Sequence, residues 1–401
     1  MTATTTTKTR APSALGHDTD WAARARALTA TIAAASDRIE KERQVTADIM
    51  AALHEAGLFH MLLPRELGGG EASPIAFMEV IEAVSAGDAS VGWCLGQGLG
   101  CTHAAGFLKP EIAKEIFGPA NGVLAWGPPS GAKAIKVEGG YRVSGRWRFA
   151  SGSPHATWLG GHSIVCEADG TPVKDAKGRP VLRTMLFPKA KCTIHDVWNV
   201  LGLRGTGSND YEVKDLFVPE AYTTWRDSVP DRSHVGPLYN VPLLTLYGMG
   251  FAGVGLGIAK ACLAAFMELA SKKVTSGRTA PLAENAVIQS EIAQATWRLE
   301  AARSYLIDRL EEYWAVVKTT TDVPLELRAR LRIAITSAMH RAREVVDYTF
   351  TAAGTNAIFE GSPFERRFRD IHTVTAQGQA HAANFEFAGQ ALFGYAPAHR
   401  L

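Results

Sequence analysis

Apolar residues recur at three- and four-residue intervals from Trp21 to Ile39, with Ala25, Leu28, Ile32 and Ala35 between them. That spacing predicts a helix with one buried face. Thr46 is placed to cap a second helix, whose apolar face is Ile49, Met50 and Leu53 and which Gly57 ends. Ser73-Pro74 is a start signal for a third, carrying Phe77, Met78, Ile81 and Val84. Asp88 precedes a fourth, largely apolar helix that runs through Phe107. Residues 18–121 are therefore expected to form a helical domain, behind a polar, threonine-rich leader over 1–17 that is expected to be disordered.

Near Gly122 the period shortens to two. Runs suited to strands cover Gly122–Trp126, Ala132–Glu138, Tyr141–Phe149, Trp158–Cys166, Val181–Phe187, Lys191–Val197 and Tyr211–Val218. Gly139-Gly140, between two of them, is a hairpin signal. Residues 122–235 are predicted to be a small antiparallel barrel or sandwich. Helical periodicity returns over 236–401, in long stretches at Val241–Ser276, Pro281–Lys318 and Pro324–Ala353 and in a tail at Phe364–Leu392. These predict a C-terminal four-helix bundle, and with it an α+β, mainly α fold.

Val241–Ala259 carries no charge over about the length that could cross a bilayer. Pro242 near its start and five glycines inside it favour a helix buried on all sides within the bundle. Gly248, Gly250 and Gly253 spell G-x-G-x-x-G there, but no strand precedes them and no βαβ unit surrounds them, so close helix packing is the expected role. Apolar positions on more than one side of the next helix, including Ile288, Ile292, Trp297, Leu299 and Leu306, imply a partner subunit.

The 401 residues are 46% hydrophobic and 20% charged, as in ordinary globular proteins. With 42 basic and 40 acidic residues the net charge is +2, which provides no field for nucleic acid or an anionic membrane. Five scattered cysteines without a CxxC pair point to reduced thiols in a cytoplasm, and no metal-ligand spacing, P-loop or nucleophile elbow is present.

Chemistry is concentrated in three stretches. Trp126–Gly131 reads WGPPSG, Gly145–Gly152 reads GRWRFASG, and Gly361–His372 reads GSPFERRFRDIH. On a regular strand Phe149 and Ser151 would point to the same face, setting an aromatic ring beside a hydroxyl. Together these stretches resemble the acyl-CoA dehydrogenase superfamily over nearly all of residues 20–395. In its dehydrogenases a C-terminal E-R-x-x-R-D pattern is followed eight residues later by the glutamate that takes the substrate α-proton. Here that position is Gly378, which has no side chain, while His372 stands where the oxygenase branch places a histidine.

The resemblance thus implies the two-component flavin-dependent monooxygenase branch. Such an oxygenase component takes reduced FMN (or FADH2) from a separate NAD(P)H:flavin reductase and uses O2, through a C4a-hydroperoxide, to oxygenate a small aromatic or heterocyclic substrate. Carried over residue by residue, it implies flavin contacts at Trp126, Gly127, Phe149, Ser151 and Gly152, and at Arg278 across a subunit boundary. It implies catalytic roles for His372, His103 and Ser151, in a cytoplasmic homotetramer. Trp126 replaces the dehydrogenases' threonine, whereas Pro128 and Gly131 are retained. Phe350 and Ala353 replace residues of the adenine-end element, which fits FMN better than FAD. His155 is expected on a loop outside the site. The alternative is a dehydrogenase-type flavoprotein with its base relocated, to Glu300 or Glu268.

Overall fold

The computed structural model describes residues 19–225 and 232–399; the expected leader lies outside the described residues. The N-terminal helices are α1 (Trp21–Glu42), α2 (Ala47–Glu55), α3 (Pro74–Gly87), α4 (Ala89–Thr102) and α5 (Pro110–Phe117). Their starts follow the caps. Ser73 Oγ accepts from the Ala76 amide at 3.2 Å, and Asp88 Oδ1 accepts from Ser90 and Val91 at 2.9 and 3.2 Å. Thr46 occupies the cap position of α2, but its hydroxyl makes no capping bond. A 3-10 turn at His103–Phe107 extends α4 to the predicted end.

Eight strands follow: β1 (Leu124–Trp126), β2 (Lys133–Val137), β3 (Gly140–Ala150), β4 (Trp158–Cys166), β5 (Leu182–Pro188), β6 (Thr193–His195), β7 (Asn209–Pro219) and β8 (Thr223–Thr224). They form one sheet in the order β6-β7-β3-β2-β4-β5-β8, with β1 also paired to β4. The expected purely antiparallel arrangement is corrected here, because β1 and β2 both run parallel to β4. They lie end to end along the same strand, and the register slips between them. WGPPSG is therefore a loop pushed out of a single interrupted strand. The sheet wraps its own core around Trp147, which stacks on Tyr211 at 5.3 Å and meets Phe187 at 5.9 Å.

The C-terminal helices are α6 (Leu243–Lys272), α7 (Ala286–Val317), α8 (Leu325–Ala353), α9 (Pro363–Thr375) and α10 (Ala383–Leu392). The tail is thus two helices, broken around a 3-10 turn at Gly378–Ala380, not one. α6 is the helix buried on all sides: it packs on α3 and α4 to one side and on α8 and α9 to the other. Of its most apolar window, 78% is buried in the protein. The G-x-G-x-x-G glycines serve that packing. A Cβ on Gly253 would lie 2.7 Å from Met78 O, and one on Gly257 would lie 2.3 Å from Glu82 O.

Contact with backbone cannot be relieved by a rotamer change. Gly257→Ala should therefore lower stability by about 1–3 kcal/mol. Gly255, whose Cβ would meet only ordinary contacts at 3.5 Å or more, is the control. Gly255→Ala should be neutral, or stabilising by up to about 1 kcal/mol through helix propensity. Denaturant melts of the two variants separate close packing from propensity.

Candidate functional site

The exit of β3 is irregular. Its register against β7 shifts between Trp147 and Ala150, and Phe149 takes a positive φ of 61°. The bulge swings Phe149 outward, leaving it 49% exposed, edge-on to Trp198 at 6.1 Å and beneath the Arg148 guanidinium. Ser151 turns inward and is buried. The expectation that these two share one strand face is corrected, because the bulge breaks the alternation it relied on.

Ser151 Oγ accepts from Trp93 Nε1 at 2.9 Å and lies 2.7 Å from Ser208 Oγ. Ser208 Oγ lies 2.7 Å from Thr206 Oγ1, which donates to Leu203 O at 2.9 Å. All three hydroxyls are buried. Gly152 follows at φ +80, its amide donating to Thr206 O at 2.8 Å; a side chain there would strike His155. Gly127 fits as tightly. Its amide donates to Tyr211 OH at 3.2 Å, and a Cβ would fall 1.8 Å from Arg148 O. WGPPSG and GRWRFASG are therefore in direct backbone contact, while Trp126 is buried edge-on to His162.

α4 connects this corner to His103. Trp93, Gly100 and His103 fall on one face at helical spacing. Trp93 stacks on Phe251 of α6 at 4.3 Å, Phe251 stacks on Tyr247 at 5.9 Å, and Tyr247 lies against Gly100. His103 is buried near Phe107 and Tyr239, at 5.2 and 5.4 Å. An aromatic seam thus runs from Ser151 along α4 to Gly100, one turn before His103.

His372 is not brought to that seam. Its Nε2 lies 2.8 Å from Asp347 Oδ1, and its ring packs on Phe368, which stacks on Phe350. Its side chain remains 34% exposed. It therefore sits beside the Phe350–Gly354 element, between α8 and α9. Two residues along a helix point about 200° apart, and Asp370 is the one that turns toward the Leu203 turn. Asp370 is buried and its Oδ1 accepts from the Leu203 amide at 2.6 Å, anchoring the turn that carries Thr206 and Ser208. Burial, and then the neighbouring Asp88, raise its pKa to about 7.

Arg278 is exposed in the turn after α6, with its amide donating to Thr275 O. A polar cavity of about 260 Å³ between α1, α3, α4 and α9, lined by Asp88, Arg366, Arg367 and Asp370 among others, lies at the opposite end of α4 from His103. Among the described residues no group of His, Cys, Asp or Glu is arranged to hold a metal.

Sequence reasoning missed Trp93, Thr206 and Ser208. The run Gly205–Ser208 (GTGS) offered a signal, since hydroxyls alternating with glycines invite side-chain to backbone bonding. The corner fits a flavin in kind: a buried hydroxyl with acceptor capacity left, close to an exposed aromatic ring.

Residues 19–119 match the family description "Acyl-CoA dehydrogenase, N-terminal domain", and residues 249–383 match "Acyl-CoA dehydrogenase, C-terminal domain". An indole-3-acetate monooxygenase of Pseudomonas putida is 30% identical over 361 residues, covering 89% of this chain and 90% of that protein. A flavin-dependent monooxygenase, the oxygenase subunit HsaA of Rhodococcus jostii, is 31% identical over 379 residues, covering 92% and 95%. The solved structure of 3-HSA hydroxylase from Rhodococcus sp. RHA1 aligns with a TM-score of 0.86 at 27% identity, covering 96% and 99%.

The site also predicts a pH response. Burial, and then the charge of His54, depress the His155 pKa to about 3; burial, and then His60, depress that of His54 to about 4. Below about pH 6.5 the unfolded chain takes up protons that these folded rings refuse, so their contribution to stability falls as pH drops from 6.5 toward 4. Asp370 works with opposite sign, holding its proton in the fold up to about pH 7. The measurement is therefore variant against wild type: between pH 7 and 5, His155→Gln should lose less melting temperature than wild type does.

Proposed function

The chain belongs to the acyl-CoA dehydrogenase superfamily, in its flavin-dependent monooxygenase branch, and we propose that the corner at Ser151 and the aromatic seam toward His103 form its active site. It is the oxygenase component of a two-component system, with reduced flavin as cofactor and a separate reductase as supplier. The positions weighed for a dehydrogenation base do not serve it. Gly378 occupies the glutamate's place, Glu268 is exposed and paired with Lys272, and Glu300 is exposed.

The observation that carries the site assignment is the Ser151 hydroxyl, buried at the exit of a bulged strand and held by Trp93 and Ser208. Reduced flavin, when bound, supplies the activation of O2. The protein's residues do the rest. Ser151 would take the N5 side of a bound flavin, and Phe149 and Trp198 would supply aromatic surface to its ring system. Trp126, Gly127 and Gly152 shape the backbone that approaches it. Phe251, Tyr247 and Trp93 keep water from the reaction, and His103 receives the polar end or phenolic proton of the substrate. The aromatic rings packed along α4 favour a small aromatic or heterocyclic substrate. His372, held by Asp347, has no part in this reading within one chain.

We also propose a cytoplasmic homotetramer. Leu299 and Leu306 are buried within the chain, but Trp297 and Val287 on α7 are 67% and 68% exposed, and Ile358 and Phe359 lie at 62% and 66%. Apolar side chains at these levels favour a partner surface. In that assembly the exposed Arg278 reaches a neighbouring protomer's flavin, where a guanidinium suits a phosphate.

Two experiments test this reading. With reductase, NAD(P)H and an aromatic substrate, Ser151→Ala should release more hydrogen peroxide per NAD(P)H and bind reduced flavin more weakly by about fivefold, the worth of one hydrogen bond at about 1 kcal/mol. Unchanged coupling and affinity would remove Ser151 from the site. Sedimentation at micromolar concentration should give a tetramer, and Arg278→Ala should weaken flavin binding without dissociating it. A monomer that holds reduced flavin as tightly as the assembly would refute the shared site.

A further inference from the structure

The hydroxyls of Ser151, Ser208 and Thr206 lie in line between two groups of fixed character. At one end, the Trp93 indole N–H can only donate, and it donates to Ser151. At the other, the Leu203 carbonyl can only accept, and Thr206 Oγ1 donates to it at 2.9 Å. Each hydroxyl has one proton. Thr206 spends its proton on Leu203, so the 2.7 Å contact between Thr206 and Ser208 is made by the Ser208 proton. The 2.7 Å contact between Ser208 and Ser151 is then made by the Ser151 proton. Ser151 is left with no proton to give and one lone pair unused.

We infer that this chain sets the hydrogen-bonding polarity of Ser151 and so selects the redox state of the flavin, with Thr206 and Ser208 as positioning residues that act through Ser151. The inference rests on the reading above that Ser151 takes the N5 side of a bound flavin. Reduced flavin carries a proton on N5 and donates; oxidised flavin has a bare N5 and accepts. A Ser151 that can only accept matches the first and opposes the second. Serving oxidised flavin requires all three protons to reverse, which takes the Thr206 proton away from Leu203. That carbonyl keeps the Trp198 Nε1 bond at 3.0 Å and the Thr206 amide bond at 3.2 Å and loses the hydroxyl bond. Binding oxidised flavin therefore costs one buried hydrogen bond that reduced flavin leaves in place. The selection lies two residues behind the contact itself.

Thr206→Val tests this at nearly constant volume. With no hydroxyl at 206, the remaining hydroxyl acceptor for Ser208 is Ser151, so the order reverses and the Ser151 proton turns outward. The readout is the ratio of dissociation constants for oxidised and reduced FMN, from fluorescence quenching in air and calorimetry under anaerobic dithionite, with FAD measured alongside. The ratio should fall by about tenfold in Thr206→Val, by weaker binding of reduced and tighter binding of oxidised flavin, and return in Thr206→Ser. A general loss of structure would weaken both forms together and leave the ratio unchanged. Should Thr206→Val not fold, Ser208→Ala also frees the Ser151 proton and should lower the same ratio. A wild-type ratio in these variants, alongside a collapsed ratio in Ser151→Ala, would overturn the inference and leave the site assignment standing. Wild-type affinities for both forms in Ser151→Ala would instead overturn the site assignment.

Discussion

The arrangement at Ser151 depends on one buried hydrogen bond, from the Leu203 amide to Asp370 of α9. It joins the C-terminal helices to the turn that carries Thr206 and Ser208, which the Gly152 amide in turn ties to the exit of β3 through Thr206 O. The approach is close: a side chain on Gly202 would strike Arg369 O. A buried carboxylate is costly unless it is neutral or well bonded. Asp370 satisfies this by taking the Leu203 amide and by holding its proton up to about pH 7.

Around that joint the charges are paired. Glu40 of α1 receives Arg366 and Arg369 of α9, each at 2.7 Å, and Arg204 of the same turn at 3.2 Å. Burial works against the ionised Glu40, but the arginines prevail and hold its pKa below the ordinary range. Removing one partner of such a cluster leaves an uncompensated charge, so it specifies how α1, α9 and the Leu203 turn meet more than it stabilises the fold. Hydrophobic burial does the stabilising; along α6, glycines let α3 approach closely, and Gly100 of α4 does the same for Tyr247, so that Trp93 of α4 stacks on Phe251. The same packing delivers the Trp93 indole to Ser151.

Periodicity and punctuation alone determined the order of helices, strands and helices, the caps at Ser73 and Asp88, the burial of α6 and the structural role of its glycines. These are local properties: they depend on residues within a few turns of one another and on the need to bury an apolar face. The motif resemblance likewise picked out the WGPPSG and GRWRFASG stretches, and the fold sets Gly127 of the first against the backbone of Arg148 in the second. Only the tertiary structure decided which way Phe149 and Ser151 point, because a bulge depends on register with a partner strand that lies far along the chain. It also decided that Asp370 turns toward Leu203 while His372 turns toward Asp347, since a helix's phase relative to its neighbours is set by packing. Trp93 became visible only there, and so did the link from Ser208 to Ser151, although Gly205–Ser208 carried a local signal for Thr206 and Ser208. Hydrogen bonds between residues more than fifty positions apart leave no periodic trace in a sequence, and the proton order they impose on Ser151 exists only once the chain has closed around it.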